Sequence, residues 1–222
     1  LYDPGVKIPL ILRWNGVIPE GKRNTALTAN IDLLPTLLDA IGETGRLPAD
    51  RDGHSLWPGI VDDTPVGHDA IFAEQTWHDF YEPMRCIRTE THKLIRNFAP
   101  GRGLQIAADI VESDTVAVMR EFLLNYELPE YELYRFADDS EERVNRAGDP
   151  ELAEVEERLK RRLQSRLEAV ADPILQGVVP APRGYWEHFC AKPNGPGRFP
   201  VPLQPDNRLA VKWCPGMVNH SC

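Results

Sequence analysis

Three side chains near the middle of the chain carry the types needed for site chemistry. Glu74 and His78 leave the end of a short predicted strand and enter a loop, and Arg85 stands where the next predicted hairpin begins. Side chains in loops flanked by regular elements are well placed to face a cleft. An imidazole there can bind a ligand or pass a proton near neutral pH, while a carboxylate and a guanidinium can orient what is bound. The same residues also fit a plainer description, with His78 as an ordinary loop histidine and Arg85 paired to a carboxylate in the core. The four cysteines, Cys86, Cys190, Cys214 and Cys222, lack the close paired spacing of zinc ligands. For Cys190, Cys214 and Cys222 a disulfide and free thiols both remain open. Asn219-His220-Ser221 fits an N-glycosylation acceptor, a triplet that is also common by chance.

The elements that must position these groups follow from periodicity. Ile8 to Trp14 is a short continuous apolar run closed by Asn15-Gly16, which predicts a strand buried on both faces, as in parallel sheets covered by helices. Ile31, Leu34, Leu37, Leu38 and Ile41 fall at helical spacing, with Pro35 in the first turn and Gly42 as the stop. That strand and helix imply one α/β repeat. Glu43 to Asp69 reads as a surface connection with a short apolar patch at Leu56-Trp57, and Ala70 to Ala73 starts another strand. Arg85 to Thr89 and His92 to Asn97 alternate as the two strands of a hairpin.

Ser113 caps a predicted helix reaching Tyr126, with Val116, Met119, Phe122 and Leu123 as its stripe. Glu132 to Phe136 is a further strand. Asp149-Pro150-Glu151 is an acidic cap followed by a proline at the first helical position, and starts a helix running to about Val170. Its stripe is Leu152, Val155, Leu159, Leu163, Leu167 and Val170, which lays one face on a sheet; coiled-coil pairing is the competing description. Beyond Gly177 the chain is proline-rich and aperiodic.

The chain has 222 residues, 42% of them hydrophobic, enough to bury a real core. Acidic residues outnumber basic ones by 34 to 25, for a formal charge of −9, which argues against a general nucleic-acid partner. The basic cluster from Arg158 to Arg166 is interleaved with Glu and reads as a solvated, salt-bridged helix face. No apolar run is long enough to cross a membrane. The chain opens without Met and directly in a buried-strand pattern, which suggests a severed piece.

Five separated segments, in order, resemble the C-terminal part of sulfatases, members of the alkaline phosphatase superfamily, and most closely the heparan N-sulfatase (sulfamidase) branch. They are Leu1-Tyr2-Asp3-Pro4-Gly5-Val6-Lys7-Ile8-Pro9; Ile31-Asp32-Leu33-Leu34-Pro35-Thr36-Leu37-Leu38-Asp39; Asp52-Gly53-His54-Ser55-Leu56-Trp57-Pro58; Glu74 to His78 with Pro83-Met84-Arg85 and the hairpin; and Glu132-Leu133-Tyr134 with Asp138 to Glu142, Asn145-Arg146-Ala147 and Asp149-Pro150. Departures occur at Pro4, Asn15, Arg135 and Ser140, where the family commonly has Gly, Pro, Asp and Pro.

The resemblance implies a fold and a chemistry. Residues 1–82 would end a sulfatase-type α/β domain, 83–173 would form a small antiparallel sheet packed by a helix over 150–170, and 174–222 an irregular extension. The parent would release sulfate from sulfate esters or N-sulfated sugars, using calcium and a formylglycine made within a Cys/Ser-x-Pro-x-Arg motif. That motif does not occur in these residues. Asp62-Asp63, Asp138-Asp139 and Asp206-Asn207 imitate the family's metal-binding pairs, but at the wrong places in the chain. The expectation is therefore a chain with no catalytic residue and no metal of its own. By resemblance, His78 would bind or protonate the leaving amine or hydroxyl, Glu74 and Arg85 would orient the sugar, and Lys7 would stand behind the site or at the surface. A phosphonate or phosphodiester hydrolase of the same superfamily, and a non-catalytic interaction module, are the alternatives.

Overall fold

A computed structural model describes residues 1–182, apart from Asp63, Asp79, Arg102, Gly103, Gln105, Ala108, Asp109, Val111, Glu112 and the side chain of Leu124. Cys190, Cys214, Cys222, Asp206-Asn207 and Asn219 lie outside the described residues. The centre is an antiparallel sheet in the order β1-β2-β3-β4, with β1 at Ile71–Trp77, β2 at Tyr81–Arg88, β3 at His92–Asn97 and β4 at Tyr131–Arg135. Helices α1 (Asp3–Val6), α2 (Leu33–Ala40) and α3 (Trp57–Val61) precede it, α4 (Asp114–Asn125) lies between β3 and β4, and α5 (Ala153–Ala169) follows.

The hairpin forms with Cys86 opposite Ile95 and Ile87 opposite Leu94, and β4 joins with Leu133 opposite Leu94. Because side chains alternate across a sheet, Ile87, Leu94 and Leu133 share one face. Against it α5 lays Leu159, Leu163 and Leu167, all buried in the same cluster. Burying each leucine contributes on the order of 1.5–3 kcal/mol, so the helix is a packing helix, and coiled-coil pairing is not needed to cover its stripe. Asp149 accepts the backbone N–H of Glu151, and Pro150 opens a 3-10 turn that leads into α5. Ser113 likewise accepts the N–H of Val116 at the start of α4. Only Val116 and Leu123 of the α4 stripe are buried, while Met119 and Phe122 stay exposed.

The opposite face carries Cys86, Lys93, Ile95, Glu132 and Tyr134, and the first residues of the chain lie on it, with Leu1 and Tyr2 packed against Cys86, Ile95 and Tyr134. Cys86 is a free, buried thiol.

Two expectations for the first third of the chain are corrected. Ile8 to Trp14 forms no strand, and Ile8 and Ile11 are 71% and 88% exposed. A strand buried on both faces needs sheet neighbours on both sides, and no described strand runs beside these residues. The α/β repeat is therefore not formed among the described residues. The helix after it does form, with Pro35 in its first turn and Gly42 at φ +76 as its stop. Its stripe does not face a core, however, since Ile31, Leu34, Leu37 and Ile41 are all at least half exposed.

Candidate functional site

Arg85 is buried at 2% exposure and fully engaged. Its Nε and Nη2 donate to the two Asp172 oxygens at 2.6 and 2.9 Å, and Nη1 donates to Gln75 O, Thr76 Oγ1 and Met84 O. Nη2 also reaches Glu74 Oε2 at 3.1 Å, while the Glu74 side chain stays 68% exposed. The guanidinium thus ties the strand pair β1–β2 to the residues after α5 and holds Glu74 at the surface. His78 is exposed in the bend that follows β1, its backbone N–H donating to Phe80 O. Lys7 is exposed just past α1. The structure therefore places Glu74 and Arg85 in contact, with His78 and Lys7 exposed and not among these partners of Arg85.

A second polar cluster fixes the opening segment. Lys93, with 0% exposure, lies between Asp3 Oδ1 and Glu142 Oε1, each at 2.5 Å. Arg88 also binds Asp3, through both Nε and Nη2 at 3.1 Å. The hydroxyls of Tyr2 and Tyr134 donate to Glu132 Oε2 at 2.7 and 2.6 Å, and Asn97 Nδ2 donates to Glu132 Oε1 at 2.8 Å. Burial pushes both tyrosines far up from their ordinary value, and Glu132 adds to the shift. Glu142 adopts φ +55, a conformation that costs a non-glycine residue about 1–3 kcal/mol and that these buried contacts hold in place.

A third cluster has no counterpart in the spacing of the sequence. Asp32, with 0% exposure, ends the 3-10 turn that leads into α2, and its oxygens accept the N–H groups of Ala29 (2.8 Å) and His54 (3.0 Å). His68 Nε2 lies 2.8 and 3.0 Å from the two oxygens, and His54 Nδ1 is 4.0 Å from one of them. The two imidazoles lie 4.1 Å apart between ring centres. Burial raises the Asp32 carboxyl, but the two backbone N–H groups and the His68 ring outweigh it and hold it below its ordinary value.

Glycines permit this assembly. A Cβ on Gly53 would sit 2.2 Å from Ile31 O, and one on Gly67, at φ +129, 2.8 Å from the Ala26 side chain. His68 also lines an open groove of about 870 Å3, together with Lys22, Arg23, His92, Arg158 and Arg162. Asp32 and His54 were visible only as parts of sequence motifs, and His68 had no signal, because the ligand atoms come from loops far apart in the chain.

Among the described residues, Asp62, Asp138 and Asp139, which imitate metal ligands, have other partners. Asp139 accepts the N–H groups of Arg143 and Val144, Asp138 binds Arg135, and Asp62 accepts from Thr64. Calcium takes six to eight oxygen ligands. Among the described residues, the grouping of three or more potential ligands with atoms close enough to share an ion is Asp32, His54 and His68, which offers two nitrogens. The described residues therefore do not fit a calcium site.

Residues 1–106 match the family model of the C-terminal region of N-sulphoglucosamine sulphohydrolase. An ulvan-active sulfatase of Formosa agariphila is 26% identical over 191 residues, covering 81% of this chain and 36% of that protein. An N-acetylglucosamine-6-O-sulfatase of Bacteroides thetaiotaomicron is 30% identical over 103 residues, covering 43% of this chain and 18% of that protein. A solved structure from work on glycosaminoglycan metabolism by Bacteroides thetaiotaomicron shares the fold, with a TM-score of 0.50 and 19% identity over 76% of this chain and 33% of its own. The chain spans about a third of the length of the first of these relatives. By these similarities, and by the ordered segments that carry them, the chain is similar to the C-terminal region of sulfatases, most directly over residues 1–106.

Proposed function

We propose that this chain is the C-terminal portion of a hydrolase that releases sulfate from a sulfated sugar, as an ester or an N-sulfate. The match of residues 1–106 to the sulphohydrolase C-terminal model carries this reading. The structure adds a physical reason for the opening motif: Tyr2 and Asp3 are its anchors, hydrogen-bonded to Glu132 and to Lys93 and Arg88. The first, fourth and fifth sulfatase-like segments thus meet on one sheet face. The names of the relatives, an ulvan-active sulfatase and an N-acetylglucosamine-6-O-sulfatase, favour a carbohydrate substrate.

In this reading, the formylglycine nucleophile and the calcium that stabilises charge on the sulfuryl group belong to residues of the parent other than those described. The chain's own contribution is at the β1 edge. Glu74, held by Arg85, orients a sugar hydroxyl or amine, and the exposed His78 binds or protonates the leaving group. Lys7, exposed just past α1, stands behind the site or at the surface.

Purified residues 1–222 with added calcium are expected not to hydrolyse a chromogenic aryl sulfate. Turnover above that of a heat-denatured control would overturn the assignment of the nucleophile to other parts of the parent.

A further inference from the structure

We propose that Asp32, His54 and His68 form a binding site for a divalent transition cation of the zinc class, separate from the calcium chemistry of the parent and independent of the proposed sulfatase activity. The donor atoms all lie within 4.8 Å of one another. Two imidazoles and one carboxylate are a set that suits zinc and related ions, with metal to nitrogen and oxygen distances of about 2.0–2.2 Å.

The cluster is built more firmly than an accidental meeting of surface groups. The Asp32 side chain has no exposure, and its two oxygens are oriented by backbone N–H groups from Ala29 and His54. Both oxygens also lie within 3.0 Å of His68 Nε2. Backbone donors of this kind hold a ligating carboxylate in one orientation, as hydrogen-bond partners behind metal ligands do elsewhere.

His68 Nε2 already lies 2.8 Å from the carboxylate, close to the separation of about 3.3 Å that two ligands of one tetrahedral ion show. A small outward movement of the ring admits the ion in place of the shared proton. The His54 side chain, 40% exposed, needs only to turn Nδ1 inward from 4.0 Å to complete the set. The fourth position is left for water or an anionic group; His68 also lines the groove that carries Lys22, Arg23 and Arg158, whose charges favour an anion near the site.

The test uses the full 222-residue chain with Cys190, Cys214 and Cys222 replaced by serine, so that thiols outside the site do not take the metal. Zinc is titrated against a chromophoric chelator, and thermal unfolding is followed with zinc and with EDTA. One equivalent should bind, zinc should raise the melting midpoint, and His54→Ala should weaken binding at least tenfold while leaving the midpoint in EDTA unchanged. His68→Gln, which keeps a donor to Asp32, should weaken zinc binding as strongly.

A chain that takes no zinc from the chelator overturns the site. So does a His54→Ala variant that binds within tenfold of the parent chain, because the ion would then be held elsewhere.

Discussion

Arg85 joins three parts of the molecule through one guanidinium, and its partner Asp172 sets how the fold responds to acid. Arg85 holds the Asp172 carboxyl below its ordinary value, against burial, with help from the N–H of Ile174. A carboxyl whose folded pKa lies below its unfolded value of about 3.9 contributes stability above that pH and loses it as pH falls through the folded value. Asp172→Asn removes the charge and leaves a buried guanidinium without its bidentate partner. The variant is expected to lose about 3–5 kcal/mol at pH 7 in urea unfolding, with the difference from the unaltered chain shrinking below about pH 4. A difference that stays constant into acid would show that the pair is not the source. Arg85 was legible in the sequence as a core partner of a carboxylate, but which carboxylate it meets was not, because Asp172 lies 87 residues away.

At the scale of elements, the sheet and α5 stabilise one another. The leucine stripe, the Asp149 cap and Pro150 were all readable, since each depends on residues within a turn or two of the helix. Leu159, at 1% exposure, packs in the cluster that holds Ile87, Leu94 and Leu133. Leu159→Ala is expected to cost about 2–5 kcal/mol, whereas Val118→Ala on α4, at 86% exposure, should cost under about 0.5 kcal/mol beyond propensity. Equilibrium denaturation of the two variants checks this, and equal losses would contradict the packing described for α5. The strand expected over residues 8–14 shows the limit of the same reasoning. An apolar run records that a segment is suited to burial, and whether it becomes a strand depends on neighbours that no local pattern specifies.

For the whole molecule, burial is uneven. The sheet, α5 and the opening Tyr2-Asp3 anchor form a closed core with two covered faces. Ile8, Ile11, Ile31, Leu34, Leu37 and Ile41 remain exposed on the segments before the sheet. Exposed apolar surface on this scale marks a contact face or an association liability. The isolated 222-residue chain is expected to self-associate as its concentration rises, and the paired change Ile8→Ser with Ile11→Ser to reduce that association. Sedimentation velocity over a range of concentrations decides it; one concentration-independent species would show that these residues do not drive association.

The order of the sulfatase-like segments, the antiparallel hairpin and the capped helices came from the sequence, because periodicity, caps and motif order are written locally along the chain, whereas the carbohydrate-directed expectation for Glu74 and His78 came only from the family resemblance. The tertiary structure decided what those residues touch. It turned Tyr2 and Asp3 into anchors on Glu132, Lys93 and Arg88, gave Arg85 to Asp172, and brought Asp32, His54 and His68 within 4.8 Å of one another. Each of these contacts joins residues separated by many turns of chain. Their proximity is set by the register of the sheet and by close approaches at Gly53 and Gly67, which no spacing in the sequence records.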